Sequence, residues 1–165
     1  MKNFARNFIT IIILLSLFSC TKRIAPEETP QAKIIDFGLV IHGGAGNIYK
    51  GRYSAEEEKE YKDKLSEALL AGFNILNNNG SSVDAVEKVI NILEDSPLFN
   101  AGKGSVFTRE GKNELDASIM SGKDTNCGAV AGVKHIKNPI SLARAVMEKS
   151  PHVMMVGEGA ETFAR

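Results

Sequence analysis

The sequence predicts an α+β domain, and three observations carry that prediction. Two capped, amphipathic helical stretches follow one another between Ser54 and Leu93. Short apolar runs then cluster after Pro97, separated by turns rich in Gly and Asn. Helices and strands are therefore segregated into layers, unlike the regular alternation of a Rossmann-type fold. The chain of 165 residues suffices for one domain of ordinary size. At 43% hydrophobic and 24% charged residues, its composition is that of a globular protein. Twenty Lys plus Arg balance 20 Asp plus Glu, which leaves no electrostatic footprint for nucleic acid.

Residues 1–20 stand apart from the fold. Lys2 and Arg6 precede an apolar stretch from Phe8 to Phe18. At about eleven residues it is too short for an ordinary membrane span and fits a signal h-region. It ends in Leu17-Phe18-Ser19-Cys20, which resembles a bacterial lipobox with Cys20 as the acylated residue. That resemblance implies a membrane partner through a lipid anchor and a place in the bacterial cell envelope, facing the periplasm or the exterior. A plain secretory signal or an uncleaved short anchor is the alternative. Residues 21–35 are polar and Pro-containing and suit a tether, and the domain occupies 36–165.

Asp36 to His42 is a short apolar run leading into glycines, the pattern of a buried strand ending in a tight turn. Ser54 and Glu57 form an S-x-x-E capping box, with Glu56 and Glu58 at the positive end of the helix dipole. Leu65, Leu69, Phe73 and Leu76 give that helix its apolar stripe. Gly80 suits a left-handed C-terminal position after Asn77-Asn78-Asn79. Ser82 is placed to cap a second helix bearing Val83, Val86, Val89, Ile90 and Leu93. Pro97 ends it near Glu94 by disfavouring helical geometry at Ser96. Ser105–Thr108 and Leu115–Met120 around a Gly-containing turn predict a β-hairpin. Gly128–Val133 is a strand of small residues that lets another layer approach closely. Asn138 and Pro139 open a helix through Glu148. His152–Val156 is a further strand, and Gly157–Arg165 begins a last helix. Cys127, left alone once Cys20 is set aside, is expected to be a small core residue.

Candidates for chemistry are few. The chain lacks a phosphate-binding P-loop, a G-x-S-x-G elbow and a C-x-x-C pair. His42, His135 and His152 are far apart, with no carboxylate at ligand spacing. The glycines of His42-Gly43-Gly44-Ala45-Gly46 either bring main-chain N–H groups to a site edge or only turn the chain. The stretch from Leu93 to Gly104 combines irregular backbone with apolar Leu98, Phe99 and Ala101, so its buried carbonyls need partners. A hard cation is one solution, since it takes oxygen ligands. Internal hydrogen bonds or water are the plainer one.

Five segments, in order, resemble the plant-type asparaginase/isoaspartyl peptidase family. They are H-G-G-A-G at 42–46, L-x-x-S-P-L-F-N-A-G-x-G-S-V-F-T from Leu93, E-L-D-A-S-I-M from Glu114, G-A-V-A-G-V-x-H-x-x-N-P-I from Gly128, and S-P-H-V-M-M-V-G-E-G-A-E from Ser150. The resemblance runs from about Leu39 to Arg165. It implies an N-terminal-nucleophile hydrolase with an αββα sandwich, of which this chain would be the incomplete N-terminal half. It further implies a precursor that cuts itself before a threonine, whose hydroxyl is then the nucleophile and whose amine is the base. The substrates implied are L-asparagine and β-aspartyl dipeptides. Thr108, Thr125 and Thr162 lie inside segments matching the α portion, so no catalytic residue is expected in this chain. The nucleophile would come from a β portion, its partner. By position, Asn100 corresponds to a pocket residue and His42-Gly43-Gly44 to a loop flanking the nucleophile. Leu93, Glu94, Ser96, Phe99, Ala101 and Lys103 correspond to main-chain carbonyl ligands of a structural sodium ion. No organic cofactor is implied. A dimer of αβ units is. The alternatives are a glycosylasparaginase α portion and a truncated, non-catalytic lipoprotein.

Overall fold

The computed structural model describes residues 36–46 and 48–165, and Cys20 with the expected tether lies outside them. From Phe37 to Arg165 the chain forms one compact unit. Helix α1 (Ala55–Asn77) and helix α2 (Ser82–Glu94) come first, followed by a single 3₁₀ turn at Gly102–Gly104. Strands β1 (Leu115–Met120) and β2 (Cys127–Val133), helix α3 (Pro139–Lys149), strand β3 (Met154–Val156) and helix α4 (Gly157–Phe163) complete it. The mixed α+β character is as expected from the sequence.

The sheet runs β1-β2-β3. β1 and β2 are antiparallel, with Met120 opposite Cys127 and a bulge between Leu115 and Ala117. β3 lies parallel to β2, pairing Val130 with Met155. α3 supplies the long crossover that this parallel pair needs. One face of the sheet is dry. Leu115, Ile119, Val130 and Val133 pack against Ile140, Leu142, Ala143 and Val146 of α3 and Ala160 of α4. Gly128 makes this contact possible. A Cβ there would collide with the Ala143 carbonyl oxygen and sit 2.5 Å from the Met147 nitrogen. On the opposite face Met120, Met154 and Val156 are exposed. Cys127 is half-buried there, not in the core as expected.

The helical pair forms the second packed region. Ser54 caps α1 through the predicted box: its hydroxyl accepts from the Glu57 N–H, and the Glu57 carboxylate accepts from the Ser54 N–H. The buried stripe of α1 is set by Ala68 and Gly72, with Tyr61 and Leu65 beside them. Leu69 and Phe73, expected on that stripe, lie on the flank and stay exposed. The closing turn is left-handed at Asn79 instead of Gly80. Gly80 N–H donates to Ile75 and Asn79 N–H to Leu76, the double bond of a Schellman motif. The cap of α2 is Ser81, one residue before the expected Ser82, and its hydroxyl accepts from the Asp84 N–H. Val86 also turns outward.

Two expected strands are not formed. From Asp36 to His42 burial alternates as in a strand, with Leu39 and Ile41 against the helices and Val40 93% exposed. Alternation alone does not make a strand: no neighbouring chain among the described residues completes a ladder. Ser105–Thr108 likewise remains irregular, although the turn after it closes through Thr108 N–H to the Lys112 carbonyl. Asparagine side chains hold its backbone instead. Asn113 Nδ2 donates to the Ser105 and Val106 carbonyls, and Asn100 Oδ1 accepts from the Val106 N–H.

Candidate functional site

Helix α2 stops at Glu94, as Pro97 demands, and the chain then turns inward. Phe99 is 5% exposed and packs with Ala68, Val89 and Leu93 between the two helices. Burying a phenyl ring in this way stabilises the loop by about 2 kcal/mol. Glycines tighten it further. A Cβ on Gly102 would lie 2.5 Å from the Glu94 carbonyl oxygen, and one on Gly104 would strike the Phe99 carbonyl and sit 2.7 Å from that of Pro97.

These contacts bring the expected carbonyl donors into one short loop. The Leu93 carbonyl accepts from the Ser96 N–H at 3.2 Å, that of Phe99 from Ala101 at 2.8 Å and that of Ala101 from Gly104 at 3.0 Å. Those of Phe99 and Ala101 each retain a second lone pair, whereas that of Leu93 also accepts from the Asp95 N–H. The Glu94, Ser96 and Lys103 carbonyls accept no such loop bond among the described residues. Among those residues no cluster of three His, Cys, Asp or Glu side chains could hold a metal. The oxygens expected as ligands at these six positions are main-chain and neutral.

The glycine turn lies against this loop. A Cβ at Gly43 would fall 3.1 Å from Leu65 Cδ2 and 3.5 Å from Phe99 Cε1. His42 Nδ1 accepts from the Gly44 N–H at 3.2 Å, closing the turn on itself. Gly44 has φ +126°, in the region that L side chains rarely adopt. Asn100 follows Phe99 directly and is exposed, with its Oδ1 engaged by Val106 and its Nδ2 donors making no hydrogen bond among the described residues. Gly43 thus lies against the Phe99 ring, and Asn100 is the next residue along the chain. The Asn100 amide and the glycine turn present polar groups at the surface. They cannot by themselves attack an amide.

The three threonines serve local structure. Thr108 Oγ1 accepts from the Lys112 N–H, Thr125 Oγ1 donates to the Asp124 carbonyl, and Thr162 lies within α4. A cleft of about 530 Å³ lies between Asp95, Lys103, Asn113, Lys134 and Lys137. Asn100 does not line it. Lys134 pairs with Glu114 and Lys137 with Asp95, each at 2.9 Å.

Two buried carboxylates escaped sequence reasoning. The Glu94 side chain, 3% exposed, accepts from the Ile140 N–H and the Asn138 amide, each at 3.0 Å. It caps α3, a role expected of Asn138, whose own side chain makes no capping bond. Burial pushes the Glu94 carboxyl above its ordinary pKa, against the opposing pull of those donors. Glu161 of α4, 7% exposed, accepts from the N–H of Lys134 at 2.6 Å, the N–H of His135 at 3.0 Å and His135 Nδ1 at 2.8 Å. The Lys134 N–H, with the His135 side chain and N–H, holds it down at about 2. The available signal was an acid on the covered side of each helix, beside Leu93 and Ala160.

Comparison with known proteins gives this mixed α+β unit a family. The sequence profile of the asparaginase family matches residues 35–165. The chain is 51% identical over 126 residues to an isoaspartyl peptidase of Salmonella typhimurium, covering 76% of this chain and 40% of that protein. It is 54% identical over 127 residues to a plant-type L-asparaginase of Pyrococcus abyssi, covering 77% and 40%. A rat isoaspartyl peptidase/L-asparaginase is 48% identical over 148 residues, covering 88% and 43%. The chain belongs to the asparaginase family. It spans about two-fifths of the length of these relatives.

Proposed function

We propose that this chain is the α portion of a β-aspartyl hydrolase, acting on L-asparagine and isoaspartyl dipeptides. The observation that supports this most is that about half of all aligned positions are identical to those of isoaspartyl peptidases and plant-type L-asparaginases. In this reading an N-terminal threonine freed by self-cleavage, carried by a β portion, attacks the side-chain amide, and its own amine takes the proton. This chain supplies the scaffold, Asn100 at the pocket and the His42-Gly43-Gly44 turn beside the nucleophile. The unformed ladder at 36–42 and the exposed Met120, Met154 and Val156 face are where a second half of an αββα sandwich would pair and pack. Two such αβ units would form the dimer.

A structural sodium ion belongs to the same proposal. Neutral oxygens of Leu93, Glu94, Ser96, Phe99, Ala101 and Lys103 suit a hard cation, and Gly102 and Gly104 let the loop close tightly enough to gather them. When bound, the ion supplies the positive charge that holds those carbonyls together. We also propose that Cys20 carries the lipid that anchors the protein to the bacterial envelope. Labelled fatty acid should be lost from Cys20→Ala, and unchanged labelling would end that part of the proposal.

The activity is tested with the complete gene product containing this chain. Release of aspartate from L-asparagine and from a β-aspartyl dipeptide should exceed cleavage of glycosyl-asparagine. The reverse order would instead favour glycosylasparaginase.

A further inference from the structure

The glycine turn needs a restraint that its own backbone does not supply. Gly44, Gly46 and Gly51 all have positive φ, and Ile48 and Tyr49 are exposed. Between residues 44 and 53 the described backbone bonds are few: Ile48 N–H to the Gly46 carbonyl and Arg52 N–H to that of Tyr49. At the end of this stretch, however, stands a continuous aromatic stack. The Arg52 guanidinium lies 5.6 Å from the centre of the Tyr53 ring. Tyr53 and Tyr61 are 5.0 Å apart, and Tyr61 meets Phe99 edge-on at 5.8 Å and 82°. Such aromatic pairs are directional as well as apolar, so each fixes the attitude of the next ring.

Phe99 in turn links the glycine turn to the Asn100 loop. Gly43 is fitted against one side of its ring, and Asn100 is its neighbour along the chain. Tyr61 stands on the rigid, box-capped first turns of α1. It is the only member of the stack on a helix, and so the only one whose position does not depend on a loop.

We infer that Tyr61 is a positioning residue: through Tyr53 and Phe99 it clamps the glycine turn and the Asn100 loop into register. The role belongs to the ring face and edge, not to the hydroxyl. Tyr61→Phe should therefore preserve it, while Tyr61→Leu keeps apolar volume and loses the aromatic geometry. The consequence for catalysis rests on the hydrolase reading above. The clamp itself does not.

The experiment is hydrogen exchange by mass spectrometry on the complete gene product containing this chain, wild type and both variants, alongside turnover of a β-aspartyl dipeptide. Tyr61→Leu should speed exchange in both segments 43–53 and 98–104 by about tenfold, with residues 115–133 of the sheet unchanged. Tyr61→Phe should match wild type. Unchanged protection in both segments of Tyr61→Leu would overturn the clamp, as would equal loss in the sheet, which would mean general destabilisation. In turnover, Tyr61→Leu should lower kcat more than it raises KM, with recovery in Tyr61→Phe. Absence of turnover in the wild-type complete gene product would count against the hydrolase reading alone, since exchange still decides the clamp.

Discussion

The sheet with α3 and α4, and the helical pair with its inward loop, are built by different means. The first region is closed by area: branched residues of β1 and β2 meet those of α3 across a dry interface. The second has a smaller core, and its functional edge is shaped by backbone, with carbonyls and glycines packed around one phenyl ring. Each region also holds a buried carboxylate, and the two titrate in opposite directions. Glu161 faces three donors, which favour its charge, whereas burial outweighs the two donors at Glu94. A carboxylate is comfortable out of water only when enough N–H groups point at it.

The largest expected effect falls on the sheet region. Gly128→Val places its side chain into the backbone of α3 and should cost about 3 kcal/mol, read from the urea midpoint of unfolding. A loss under about 1 kcal/mol would mean that α3 can move away, and the region would not be the rigid one. Next comes the joint between the regions. Glu94→Ala leaves the Ile140 N–H and the Asn138 amide without their acceptor and should cost about 2 kcal/mol. Glu94→Gln keeps one acceptor oxygen and sheds the burial penalty of the charge, so it should cost less than half as much. Equal losses would show that charge, not hydrogen bonding, matters there.

Ser54→Ala removes one half of the capping box and should cost about 1 kcal/mol by the same measurement. The last effect appears only with pH. The Glu161 carboxyl is held at about 2 when folded, below its ordinary value of about 4.3. Its contribution is complete above that ordinary value and is lost as pH falls toward 2. The stability gap between wild type and Glu161→Gln should be flat from pH 7 to 5 and narrow below pH 4. A gap independent of pH would contradict the assignment of those donors.

The same contrast explains what the sequence discloses. Periodicity locates α1, α2, α3, β1 and β2 because their apolar spacing records contact with a neighbouring layer. It overstates 36–42 and 105–108, where the spacing is present but no ladder partner among the described residues completes the strand. It misplaces Leu69 and Phe73, since the small residues Ala68 and Gly72 decide which side of α1 approaches α2. In the candidate site, motif resemblance picks out Asn100, the glycine turn and the carbonyl loop. The contact of Gly43 with Phe99 is a tertiary fact that no spacing encodes. Glu94 and Glu161 stay hidden for the same reason: their partners lie 46 and 27 residues away in sequence.

The central claim is that this chain scaffolds a β-aspartyl hydrolase whose nucleophile lies elsewhere. It is tested most directly by measuring aspartate release from a β-aspartyl dipeptide with purified residues 21–165 and, in parallel, with the complete gene product. The account predicts turnover by the complete product and none by the fragment. Turnover by residues 21–165 alone, or its absence from both, would contradict it.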